Sequence, residues 1–323
     1  RMPQASPSSA SRLPITPQLQ RPFDVASALA EVFPFRHVVL TDSGRSAEHL
    51  LCKSWPRRGR VLQNLLFPTC LYHQFETGLE PVEIPHRALL AGEDVAERAG
   101  LDLDALRAAL SQDAPGIAFV CIEIADNAAG GLPVSNEHLR ELRSLLAPHR
   151  IPLVIDATRV VENALQLIEQ SIGYAGRDPW DVVRETLALG DVVYASLCKD
   201  FCLDRGGLIA TDDAALADRF RRTLDEDGGG LDVIERRLVG LALRQTGAIE
   251  SRCRRRMESV RRLWEALRAE GVPVHAPAGG HCVLVDVAAM QAFAALSHPV
   301  ASFVAWLYLS TGIRAGAHSV GMQ

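Results

Sequence analysis

Lysine is almost missing from this chain. Of its 34 Lys and Arg residues, only Lys53 and Lys199 are lysines. A bias toward arginine codons accounts for the shortage, but the same bias removes any lysine whose only task is to be a positive charge. The lysine kept in "ASLCKDF" (195–201) therefore points to an amine that has to lose its proton, which a guanidinium cannot do. Long apolar runs are missing too. None approaches the roughly 20 residues of a membrane span, and no charged, apolar, small-residue signal segment is recognisable, so no membrane partner and a cytoplasmic location are expected. A formal net charge of −5 gives no electrostatic footprint for nucleic acid. The basic stretch "SRCRRRMESVRR" (251–262) interleaves arginine with apolar residues at helical spacing and reads as a solvated helix face.

Cysteine is scarce and scattered. Seven thiols, at 52, 70, 121, 198, 202, 253 and 282, exclude a disulfide framework in a chain of this size. Cys198 and Cys202 lack a second pair or nearby histidines, a poor zinc signature, so no metal is expected. Neither G-x-G-x-x-G nor G-x4-G-K-[ST] occurs, which disfavours a dinucleotide site or a nucleotide hydrolase.

What is present is a chain of 323 residues, 48% hydrophobic and 23% charged, long enough for one large domain and one smaller one. Residues 1–22, rich in Pro, Ser and Ala, read as a disordered or extended arm. From residue 23 the spacing predicts a helix ("FDVASALAEVF"), a strand ("RHVVLTD") and a second helix ("SGRSAEHLLCKSW"). Apolar runs at 116–125, 151–157, 191–197 and 206–212 predict further strands, separated by helical stretches except for the last two, which a short loop joins. This alternation predicts an α/β fold, a mostly parallel sheet covered by helices on both faces, over 23–225. Past the glycine run "EDGGGLD" a long arginine-studded helix (232–269), "GGHCVLVDV" and an apolar helix predict a smaller α+β domain over 226–323.

In such a sheet ligands sit beyond the carboxyl ends of the strands. After the first strand come Ser43, Gly44 and Arg45 at a helix start, small residues and a hydroxyl suited to a phosphate. By itself this stretch reads more readily as an ordinary N-capped helix. After the third strand comes "DATR", with Asp156 and Arg159; alone, Asp156 is a helix cap or a functional carboxylate. After the fourth comes Lys199. A phosphate cup, a carboxylate and a lysine 43 residues beyond it are together the parts that hold pyridoxal 5'-phosphate (PLP): the lysine bonds to the cofactor aldehyde and the aspartate keeps the pyridine nitrogen protonated.

The stretches "LTDSGRSAEHLL", "DNAAGGLPVSNEHLREL", "DATRVVENA", "ASLCKDFCLDRGGLIATDD" and "GVPVHAPAGGHCVLVD" resemble tryptophanase and tyrosine phenol-lyase. These are the β-eliminating lyases of the aspartate-aminotransferase-like (PLP fold type I) group, and the resemblance runs from about residue 22 to 321. It implies that Lys199 is the Schiff-base lysine and a candidate general base, that Asp156 pairs with the pyridine nitrogen, and that Arg159 and Asn127 contact the cofactor's phenolic oxygen. It further implies that Phe67 stacks on the ring and that Ser43, Gly44, Arg45 and Ser196 hold the phosphate. Lys199, Asp156 and Arg159 are the expected catalytic set. The resemblance also implies a homodimer or homotetramer with sites at the interface.

The chain departs from the family pattern at several points. Cys198 stands where the family has a second lysine, and His318 falls at or near a family arginine of the substrate site. No counterpart is found in these 323 residues for the family's N-terminal tyrosine and acidic cation ligand, or for the C-terminal arginine that grips the substrate carboxylate. Either the ends are missing or the substrate is not held in the usual way. His318 is a substituted substrate contact or a loop residue, and Arg314 a substrate contact or a surface cation. His73 and His281 read as structural histidines, Trp306 and Tyr308 as packing. The expected activity is β-elimination from an amino acid, giving a 2-oxo acid, ammonia and a leaving group. Carbon–sulfur cleavage, retro-aldol cleavage, transamination and a non-catalytic scaffold remain open.

Overall fold

The apolar runs of the sequence become a single seven-stranded sheet. The computed structural model describes residues 24–65, 67–90 and 99–317; the arm read at 1–22 lies outside them. The strands are β1 (His37–Thr41), β2 (Arg60–Gln63), β3 (Glu80–Glu83), β4 (Ile117–Glu123), β5 (Leu153–Asp156), β6 (Val192–Ser196) and β7 (Gly207–Thr211), in the order β1-β7-β6-β5-β4-β2-β3. Strands β6, β5, β4, β2 and β3 pair in parallel; β7 is antiparallel to both of its neighbours, β1 and β6. It follows that β7 alone runs backwards and that the carboxyl ends of the other strands share one edge.

Two strands were not legible beforehand. β2 reads "RVLQ" and β3 "EPVE", each four residues long and without an apolar run. β3 lies at the sheet edge, where Pro81 leaves no central ladder bond unmade.

Alternate residues of the strands feed two cores, as the period of two requires. On one face Leu62, Val120, Ile122, Ile155, Val193 and Ala210 join one cluster; on the other Val61, Phe119, Cys121, Val154, Tyr194 and Ile209 join a second. The longer helices that cover them are α1 (Val25–Val32), α2 (Gly44–Ser54), α3 (Pro68–Glu76), α4 (Leu103–Asp113), α5 (Asn136–Leu146), α6 (Val160–Gln170), α7 (Pro179–Leu187), α8 (Ala214–Asp227), α9 (Val233–Leu243), α10 (Thr246–Ala269) and α11 (Pro299–Thr311). Their starts are set by caps. Asp24 accepts from the N–H groups of Ala26 and Ser27, and Asp232 and Glu235 form a reciprocal capping box at α9.

The predicted helix 232–269 is two helices, α9 and α10, which part at Arg244 and Gln245; Gln245 has ψ 45°, outside helical geometry. Val239 and Leu243 of α9 and Ile249, Cys253 and Met257 of α10 belong to the first core cluster. Beyond α10 the described residues hold one isolated antiparallel bridge, Val274 to Val285. On α11, Trp306 packs near Phe293 and Phe303 but stays half exposed, and Tyr308 is exposed rather than packed. Among the described residues no helix is long and apolar enough to cross a membrane.

Phe119 is fully buried in the second cluster, its ring 4.5 Å from that of Trp55. Phe119→Ala is expected to lower stability by about 3–5 kcal/mol, read from the urea midpoint.

Candidate active site

The start of α2, where the sequence predicts a phosphate cup, lies in contact with the end of β6. Gly207 of β7 pairs with Thr41 at the end of β1 on one side and with Ser196 at the end of β6 on the other. A Cβ on Gly207 would lie 2.2 Å from the Ser43 carbonyl oxygen, and one on Gly44 2.6 Å from the Ser196 Cβ. Ser43 caps α2 by accepting the Ser46 N–H at 3.2 Å, and Gly44 at the helix start lies beside the Ser196 side chain. Arg45 is exposed on that turn. The glycine run docks here as well: the Gly229 carbonyl accepts the Asp42 N–H at 2.6 Å.

Asp156 ends β5, where it is 6% exposed. Its carboxylate accepts the Thr158 N–H at 2.9 Å, and the Thr158 hydroxyl accepts the Ser196 N–H at 3.0 Å, tying the ends of β5 and β6 together. Burial pushes the Asp156 carboxyl up, against hydrogen bonds from Thr158 and Tyr194 and the charge of Arg159. Lys199 lies in the turn after β6, three residues past Ser196, and is exposed. The described residues therefore do not bury it. Phe67 caps α3 with no side-chain hydrogen bond and is 40% exposed, an open aromatic face.

Asn127 and Arg159 are brought together by a buried chain of charged groups that sequence reasoning left unassigned. The His281 Nε2 is 3.0 Å from the Asn127 Oδ1, and its Nδ1 is 2.6 Å from Glu162. Arg159 stands 3.6 Å from Glu162. Arg256 of α10 donates to both Glu162 and Asp200 at 2.6 Å, and Asp200 accepts the Glu162 N–H at 2.8 Å. Burial opposes the Glu162 charge, but His281, Arg159 and Arg256 hold its carboxyl below the usual value. The glycines of "AGGHC" allow this docking: a Cβ on Gly280 would meet Glu162 at 2.4 Å. The signals were the Asp after Lys199 and the Glu of "VVENA"; Arg256 lay hidden in a stretch that reads as solvated.

Two further carboxyls adjoin Asp156. Glu123 pairs with it across β4 and β5, and burial, then Asp126 and Asp156, push its carboxyl well up. Glu48 of α2 accepts from the Thr69 hydroxyl at 2.7 Å; burial, then the charge of Asp156, push it up to about 7. Of the substrate candidates, Arg314 is exposed in the segment after α11, and His318 lies outside the described residues. Asp156, Arg159, Asn127, Ser43, Gly44 and Ser196 are thus placed along one edge of the sheet by direct contacts, with Lys199 in the adjoining turn. Among the described residues, no contact joins exposed Arg314 to them.

The comparisons with known proteins fit this arrangement. The model of the family described as "Beta-eliminating lyase" matches residues 20–318. The chain belongs to the β-eliminating lyase family. Tyrosine phenol-lyase of Clostridium tetani is 33% identical over 297 residues, covering 89% of this chain and 64% of the relative. Tryptophanase of Salinibacter ruber is 31% identical over 301 residues, covering 90% and 64%. The chain thus spans about 64% of the length of these curated relatives. In fold it is similar to a PLP-dependent aminotransferase from Streptococcus suis, with a TM-score of 0.66, 17% identity, and coverage of 90% of this chain and 72% of that one. The architecture, a mostly parallel sheet flanked by helices, is that of PLP fold type I enzymes.

Two predictions follow from the buried charges of this family member. Between the ordinary value of 4.5 and about 7, the unfolded chain gives up the Glu48 proton while the folded chain keeps it, so stability falls with rising pH through that window and levels above it. The urea midpoint of Glu48→Gln, relative to the parent, should therefore climb from about pH 4.5 to 7; parallel profiles would refute the assignment. Arg256→Met leaves Glu162 and Asp200 buried without their shared cation, at a cost of about 3–5 kcal/mol in the same measurement.

Proposed function

We propose that this protein is a PLP-dependent lyase that eliminates a β-substituent from an amino acid, releasing a 2-oxo acid, ammonia and the leaving group. The observation that carries the reading is the convergence, at one sheet edge of a β-eliminating lyase family member, of the α2 amino terminus, Ser196, Asp156 and the turn bearing Lys199. The residues suit the cofactor. The close approach of Gly44 to Ser196, where a Cβ would lie 2.6 Å from the Ser196 Cβ, sets a helix amino terminus beside a hydroxyl, a donor set that suits a phosphate, and the buried Asp156 carboxylate suits a protonated pyridine nitrogen.

Bound there, PLP supplies an aldehyde that condenses with amines and a ring that takes up an electron pair from the substrate Cα. The chain's own residues do the rest. The N–H groups of the first α2 turn, the Ser43 and Ser196 hydroxyls and the Arg45 guanidinium hold the phosphate. Asp156 holds a proton on the pyridine nitrogen. Asn127 and Arg159 direct polar groups at the phenolic oxygen, with His281 and Glu162 setting their positions. Phe67 covers one ring face. Lys199, when its amine is released, takes the Cα proton; because it is exposed in this chain, exclusion of water falls to the cofactor, the substrate and a second copy of the chain.

Arg314 and His318 belong to the substrate side of the proposal. Also proposed are a homodimer or homotetramer, a cytoplasmic location, and a division into a large part and a smaller one near residue 226. Helix α8 runs to Asp227, so the Gly228–Gly230 turn is the natural joint.

The test couples chemistry to position. Borohydride reduction of the PLP-loaded protein should fix a pyridoxyl mass on the peptide holding residue 199, and Lys199→Ala should remove it. Incubation with tryptophan, tyrosine and S-substituted cysteines should yield pyruvate with one of them and no yield in the variant. Amine transfer without pyruvate would make the protein an aminotransferase, and no product at all would leave a cofactor-binding scaffold.

A further inference from the structure

A second cluster of ligating side chains stands between α2 and α3, apart from the groups assigned above. His49 lies on α2 five residues past Gly44; His73 and Glu76 share one face of α3. A ring nitrogen of His49, one of His73 and a carboxylate oxygen of Glu76 all lie within 4.8 Å of one another. The two imidazoles meet edge to face, 5.2 Å between centroids. His73 was read as a satisfied structural histidine, yet its Nδ1 is buried with no hydrogen-bond partner and stands 3.8 Å from Glu76. An unpaired ring nitrogen facing a second imidazole and a carboxylate is an unsatisfied acceptor set that a cation would complete.

On the outer side, the His49 Nε2 is 3.3 Å from Asp227 Oδ2, the carboxylate partner that metal-bound imidazoles characteristically keep. Both histidines line a cavity of about 630 Å³, shared with Arg45, Ser46 and Asp227, with room for water. Lys53, in the same cavity, is paired with Asp227 at 2.6 Å, which offsets its charge.

We propose that His49, His73 and Glu76 bind a divalent transition-metal ion of the zinc type, with water from the cavity as the fourth ligand. Two imidazoles and one carboxylate without a thiolate suit zinc or cobalt; calcium and magnesium prefer all-oxygen shells. The ion would cross-link the helix whose amino terminus forms the phosphate cup to the helix that begins directly after Phe67. It would thus fix the ring-stacking residue relative to the cup without touching the cofactor. The spacing 49, 73, 76 matches no metal motif, so the three residues do not stand out in the sequence, from which no metal is expected.

The test uses the full chain loaded with PLP, stripped with a chelator and equilibrated with cobalt(II). About one ion per chain should remain after desalting, with the visible ligand-field absorption of a four-coordinate site. His73→Ala and His49→Ala should lose both signals. Glu76→Gln, at an exposed position and checked for folding by circular dichroism, should weaken binding on the order of tenfold or more, and Asp227→Asn about tenfold. No retained cobalt in the parent protein, or equal retention in His73→Ala and Glu76→Gln, overturns the proposal. Neither result bears on the residue 199 adduct, so the metal and the cofactor readings fail separately.

Discussion

Between the ends of β1 and β6 the sheet has room for a backbone and nothing more. Gly207 occupies that place, with Thr41 on one side, Ser196 on the other and the Ser43 carbonyl above it. Any side chain there pushes the β1–α2 turn off the sheet and separates Gly44 from Ser196. Because β7 runs backwards between two strands that run forwards, the turn leaving β1 and the turn leaving β6 face each other across one residue. A helix amino terminus, with its unpaired amides, is thereby set beside the turn that carries Lys199. Strand order brings the start of α2 and the turn of Lys199 to one edge, although 155 positions separate Gly44 from Lys199 in the chain.

The same logic explains what was legible in the sequence. Strands β1, β4, β5, β6 and β7 are buried on both faces, so they read as continuous apolar runs, and the rule that ligands sit at strand ends led from them to Ser43, Asp156 and Lys199. β2 and β3 are too short and too polar to stand out; β2 pairs with β4, and β3 pairs with β2 at the sheet edge. Glu48 and Arg256 were illegible for a different reason. Each sits in the middle of a helix whose local sequence resembles any charged helix, and what makes Glu48 unusual is burial against Asp156, which only the assembled sheet creates. Lys199 was legible as a chemical type but not as an environment: its exposure follows from the turn geometry, not from its neighbours in sequence.

The Asp200–Arg256–Glu162–His281–Asn127 chain is weak evidence for stability, since well-packed apolar residues of the same volume serve as well or better. Its effect is geometric. One guanidinium on α10 bonds the residue next to Lys199 and the carboxylate next to Arg159, and His281 extends the chain to Asn127. The elements beyond residue 226, which contribute α10 and the "GGHC" loop, are therefore registered by directional bonds in addition to the apolar contacts of α9 and α10. Gly130 and Gly131 on one side and Gly279 and Gly280 on the other permit the approach; a Cβ on Gly279 would lie 1.8 Å from the Gly130 carbonyl oxygen.

The two lysines separate cleanly once their surroundings are known. Lys53 is an ion-pair partner: its ammonium meets both oxygens of Asp227 at 2.6 and 2.7 Å, a task an arginine fork performs at least as well. Rarity alone therefore does not mark a lysine as chemical, and Lys53 is the counterexample within the same chain. Lys199 differs in its setting. It stands in a turn at the carboxyl edge, three residues past Ser196, and is exposed. An arginine there would keep its charge and hold an anion, but it could neither condense with an aldehyde nor accept a proton. Position at the sheet edge, added to scarcity, is what singles out this amine.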